Sequence, residues 1–190
     1  MIASRLRSAA SFLRYSGRQV FAGKFIYFLL LAVAVFLFVA IVHTANQEVP
    51  PNAELIYYFL LVPGVLLVLY PSAYAVQGDL DAGMLETLFG IPDYRYKVWL
   101  ARQLVQQVAI AGLLTGLAAF CRFALADFAV SEMVFHLMFP VAFVGSIGFL
   151  LATLTRSGNG AVAVLVLVVI VFWILTEPLE GTRWALFYNP

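Results

Sequence analysis

The chain has 190 residues, of which 64% are hydrophobic and only 11% charged, and its formal net charge is +1. Soluble domains carry about 25% charged residues, so this is the composition of an all-α integral membrane protein. The near-neutral balance, with no long basic or acidic run, leaves no electrostatic footprint for nucleic acid.

Residues 1–24 contain Arg5, Arg7, Arg14, Arg18 and Lys24, no acidic residue, and interspersed Ile2, Leu6, Phe12, Leu13 and Val20. That pattern predicts an amphipathic interfacial helix with its basic side on anionic lipid headgroups and its apolar side in the acyl boundary. A cleaved signal peptide fits poorly: the basic region is long, the following apolar run is long enough to span, and no small-x-small site closes it.

Residues 25–176 read as one transmembrane domain with five predicted spans, at about 25–42, 55–76, 98–121, 132–154 and 161–175. Pro63-Gly64 and Pro71 fall in the second span, where neighbouring helices re-satisfy freed backbone groups. Gly112-x-x-x-Gly116 in the third span is a small-x-x-x-small pattern that predicts close helix packing. Gln103, Gln106 and Gln107 occupy the first turns of that span, and Cys121 reads as a packing residue near a membrane face. A lone cysteine excludes an intrachain disulfide and a cysteine-clustered metal site. Residues 177–190 form an extracytoplasmic interfacial segment, in which Trp184, Phe187 and Tyr188 suit the membrane–water boundary.

Between the second and third spans lies a charged insert, residues 77–95. Met84, Leu85, Leu88 and Phe89 recur at helical spacing and predict a short amphipathic helix over 81–90. Asp79 and Asp81 suit its N-terminus, while Gly90 and Pro92 suit its end. About ten residues at 1.5 Å each cannot cross a bilayer core of about 30 Å, so this helix lies at the membrane surface.

The insert also carries a family resemblance. Asp79-x-Asp81-x-Gly83-x-Leu85-Glu86-x-Leu88, followed by Pro92, Arg95 and Leu100-Ala101-Arg102, resembles the loop signature of permease subunits of type-2 ABC exporters (ABC-2 type). Two positions depart from it: Met84 stands where Thr or Ser is usual, and Leu80 where a basic residue is common. The resemblance implies that 81–90 is a cytoplasmic coupling helix docking into a groove on a separate ATPase subunit. Met84, Leu85, Leu88 and Phe89 would then be the candidate anchors, and Glu86 a polar contact. It further implies a second permease copy or homologue, with ATP and Mg bound by the partner ATPase and no cofactor in this chain. A haem-exporter-type permease of cytochrome c maturation shares part of the loop but matches less well elsewhere. A non-transporting membrane anchor or scaffold subunit is the reading from a different class.

Five spans place residues 1–24, the insert with Arg102, and the 155–160 turn on one side. Nine of the eleven Lys and Arg residues then share that side, with Arg122 and Arg183 on the other. Positive charge stays in the cytoplasm, so the N-terminus and insert are expected there, in a multi-pass protein of the cell inner membrane. The resemblance implies six spans, so the sixth is missing here, by truncation or in a shortened relative, and truncation is the expectation.

Catalytic chemistry finds little support. There is no Gly-x-x-x-x-Gly-Lys phosphate loop and no Gly-x-Ser-x-Gly or His-Glu-x-x-His pattern. Glu132 and His136 share a helix face, with Glu132 expected at the interface and His136 in a local hydrogen bond. The span centres hold almost no ionisable residues, so no catalytic or metal site is expected.

Overall fold

The structure, a computed structural model, describes residues 24–46, 51–81, 83, 94–175 and 178. The described residues are helical with short connections and include no strand. The helices are α1 (Phe25–Asn46), α2 (Ala53–Ala73), α3 (Gln77–Asp81), α4 (Tyr94–Ala124), α5 (Val130–Thr155) and α6 (Gly158–Ile174). Four stretches are long and apolar enough to cross a membrane: Phe25–Ala45, Ala53–Asp81, Trp99–Ala124 and Val130–Thr155. The chain is a membrane protein on that ground. The fifth apolar helix, α6, has 17 residues, about 25 Å at 1.5 Å per residue.

The helices overrun the spans expected from composition. Helix α1 continues through His43 to Asn46, and the Thr44 hydroxyl donates to the carbonyls of Ala40 and Ile41 at 3.0 Å. A short polar side chain that bonds back to the preceding turn sits in a helix end without breaking it. Between α4 and α5 only residues 125–129 are non-helical or turn. Helix α2 starts at an Asn52 cap, whose side chain accepts from the Leu55 N–H at 2.8 Å; it carries Pro63 and Pro71 internally.

Helix α2 is the centre of the bundle and packs on α1, α4, α5 and α6. Ile56, Leu60, Leu61, Leu67 and Val68 are fully buried, and none of the exposed large apolar side chains among the described residues belongs to α2. The outer helices expose Phe38, Val108, Phe135 and Ile174, as lipid-facing surfaces do when hydrocarbon is the solvent.

Glycine sets the tightest approaches, though not the pair singled out from the sequence. A Cβ on Gly64 would stand 3.0 Å from Val141 and 3.3 Å from Leu114, so α2, α4 and α5 meet there. A Cβ on Gly148 would lie 2.7 Å from Leu165 and 2.9 Å from Ser72. By contrast, nothing among the described residues comes within 4 Å of the Cβ positions of Gly112 and Gly116, and both are exposed. The spacing rule identifies a face that permits close approach; it does not say whether a helix of the same chain takes the place.

Antiparallel packing collects the helix ends into two groups. The Lys24 backbone N–H donates to the Tyr70 hydroxyl at 3.1 Å, Phe28 meets the Tyr70 ring at 5.1 Å, and Tyr74 hydrogen-bonds Asn159. The start of α1, the end of α2, α3 and the start of α6 therefore share one end, called here the insert end. At the far end His43 meets Phe59 at 5.5 Å, and Arg122 pairs with Asp127 at 2.8 Å, both exposed.

Candidate functional site

Among the described residues, the buried polar or charged side chains are Ser72, Asp79, Arg102 and Gln106. All four stand toward the insert end, and each is bonded to another. Two Arg102 nitrogens donate to the two Asp79 carboxylate oxygens at 2.9 and 3.1 Å, and Arg102 also donates to the Ala75 carbonyl at 2.8 Å. This is the two-pronged geometry that makes arginine–carboxylate pairs strong and directional. Asp79 is 1% and Arg102 8% exposed, so removing one partner leaves the other charge buried, at a cost of about 3–5 kcal/mol.

The pair gives Asp79 a partner inside the bundle. Asp79 belongs to the first turn of the five-residue α3, which follows α2 after the 74–76 turn. The chain leaves α3 through Gly83, whose φ of +63° is the left-handed conformation that ends helices; its N–H donates to the Leu80 carbonyl at 3.0 Å. Asp81 and Gly83 are exposed. Arg95 lies in the first turn of α4, and Lys24 is exposed at the start of α1. Met84, Leu85, Glu86, Leu88, Phe89 and Pro92, with the 81–90 helix expected of them, lie outside the described residues, as do Arg5, Arg7, Arg14 and Arg18.

A second set of bonds joins the same region to α4 and α6. Gln106 donates to the Ser72 hydroxyl at 2.5 Å. The Gln77 side-chain oxygen accepts from the Gly158 N–H at 2.7 Å, which satisfies one of the N–H groups that a helix start leaves unpaired. A side chain at 158 would force its neighbours to shift, since a Cβ there would stand 2.5 Å from both Gln77 and Tyr74.

Two glutamines break this pattern. Gln103 Nε2 and both amide atoms of Gln107 are buried without a hydrogen-bond partner among the described residues. Both side chains abut Gly145 of α5, where a Cβ would be 2.8 Å from Gln107 Nε2 and 3.4 Å from Gln103 Nε2. Each unsatisfied buried group costs about 1–3 kcal/mol, more where hydrocarbon surrounds it.

The order of α4 explains the arrangement. Arg102, Gln106, Ile110, Leu114, Ala118 and Cys121 form one buried row, spaced as a helix face requires, with its first two members polar and the rest apolar. Gln103 and Gln107 form the neighbouring row, turned to α5. The glutamines stand out in the sequence; the row that Arg102 begins does not. The signal was there: Arg102 and Gln106 are four residues apart, in phase with Ile110 and Leu114.

Glu132 is exposed and His136 half-buried, its ring 5.8 Å from Phe135. Cys121 is fully buried within the apolar part of the row. Among the described residues no three His, Cys, Asp or Glu side chains are grouped to hold a metal ion.

Fold and site together define a helical membrane protein with a clasped polar cluster at one end of an apolar bundle. Comparison with protein-family models, with curated proteins and with solved structures gives no match for this chain.

Proposed function

We propose that the chain is the membrane permease subunit of an ATP-driven exporter of the ABC-2 type, coupled to a separate ATPase subunit through its 77–95 insert. The observation that carries this reading is the Asp79–Arg102 clasp. Both residues belong to the loop signature, Asp79 near the start of the insert and Arg102 beyond its end, and they form a buried pair. The insert is thereby tied to α2 through the 74–76 turn and α3, and to α4 through Arg102. A helix at 81–90 seated in a groove of the ATPase would pass that subunit's motion to both spans, and coupling of this kind needs such differential contacts in the two states.

Within this reading Met84, Leu85, Leu88 and Phe89 anchor the insert and Glu86 makes a polar contact. Asp79 acts inside the bundle, whereas Asp81 stays free to face the partner. Arg5, Arg7, Arg14, Arg18 and Lys24 hold the N-terminal segment on anionic lipid. The excess of Lys and Arg puts the insert in the cytoplasm of a cell with an inner membrane. Two permease chains form the pathway, with α6 as the fifth span, and the partner subunits bind ATP and Mg.

Purification of the tagged chain from its native membrane in mild detergent, followed by mass spectrometry of co-purifying proteins, tests this. A soluble protein carrying a phosphate-binding loop is expected, lost with Leu88→Asp and reduced with Glu86→Arg. Recovery of the chain with no such protein overturns the exporter reading and leaves a membrane anchor.

A further inference from the structure

We propose that the seam between α4 and α5 at Gly145 opens at the insert end and admits water, with Gln103 and Gln107 as the side chains that receive it. Gln107 has both its amide oxygen and its amide nitrogen buried and unpaired among the described residues, so exchanging the two atoms cannot supply a partner. Gln103 adds a third such atom one turn away on the same side of α4. Helix α5 offers nothing in return. It presents glycine at 145, and its nearby hydroxyls bond their own backbone, Ser146 to the Ala142 carbonyl at 2.8 Å and Thr153 to Leu150 at 2.6 Å. A water in the seam would supply the two to four polar contacts that these amides do not find among the described residues.

The seam is built to part at one end. Toward the far end α4 is held by fully buried Leu114, which meets α2 and α5 around Gly64 and Val141. At the insert end its hold on α5 includes the Trp99–Phe149 ring contact at 5.6 Å. Opening pivots about Leu114, and water entering from the insert end meets Gln103 first, then Gln107, and stops at buried Ile110. The Asp79–Arg102 clasp adjoins Gln103 and keeps α4 fastened to the insert while the seam moves. None of this requires an ATPase partner, so the inference stands or falls separately from the exporter reading.

The test uses the full chain in lipid nanodiscs, carrying Gln107→Cys and retaining native Cys121, with N-ethylmaleimide as probe and mass spectrometry to resolve the two sites. The expected result is labelling at 107 at least about tenfold faster than at Cys121, as local opening without global unfolding requires. Equal rates at the two positions mean loosening of the whole bundle and overturn the proposal, as does a protected cysteine at 107. Gln103→Cys, one turn nearer the insert end, serves as the second reporter: it labels at least as fast as the cysteine at 107, and its protection contradicts the opening if Gln107→Cys fails to insert.

Discussion

The two halves of α4 show what a membrane helix does with polar and with apolar burial. From Ile110 to Cys121 the buried row is apolar and fully covered, and contact alone holds it. From Trp99 to Gln107 the same helix is held by a charge pair and a hydrogen bond, with Gln103 Nε2 and both Gln107 amide atoms left without a partner among the described residues. Packing in the first half is insensitive to small shifts of angle. In the second half it depends on directional bonds that are either made or broken. In the proposed opening the apolar half stays fixed and the polar half changes state, with the insert fastened to the latter through Arg102.

Substitutions that separate the halves follow from this, the largest effect first. Arg102→Ala strands the buried Asp79 carboxylate and should lower unfolding stability by about 3–5 kcal/mol, measured by denaturation in detergent. In the apolar half, Leu114→Ala leaves a cavity under Gly64 and Val141 and should cost about 2–5 kcal/mol; unchanged stability of Arg102→Met, which keeps the bulk and removes the charge, would show that charge is not what matters at 102. Gly145→Ala drives a methyl into Gln107 and Val68, both at 2.8 Å, for a loss of about 1–3 kcal/mol in the same assay. Gln107→Leu removes two unsatisfied atoms and should leave stability unchanged or raise it by about 1 kcal/mol; a clear loss would mean that the amide has a partner in the folded protein. The smallest effect belongs to Gly112→Ala and Gly116→Ala. Each should be neutral or gain about 0.5–1 kcal/mol from helix propensity, because nothing described lies within reach.

Composition and apolar runs were enough to read a helical membrane protein, because hydrocarbon admits few other solutions for a chain this apolar. Helix ends were less legible: His43, Thr44, Arg122 and Phe123 look like loop residues but continue their helices, since polar side chains at a boundary can bond backbone or reach water without ending the turn. The Asp79–Arg102 clasp was out of reach for a different reason. Asp79 followed by Asp81 reads locally as the start of a helix, and only the tertiary approach of α4, 23 residues further on, turns it into the partner of an arginine. Gly112 and Gly116 differ in the opposite sense, a sound local rule that no neighbour among the described residues makes use of.

Hydrogen exchange along α4, in the unmodified chain and in Asp79→Asn, tests the division most directly. Loss of the clasp should speed exchange across 99–107 by about tenfold while leaving 110–121 unchanged, because local openings follow local stability. Uniform acceleration along the whole helix, or none at all, would contradict the account.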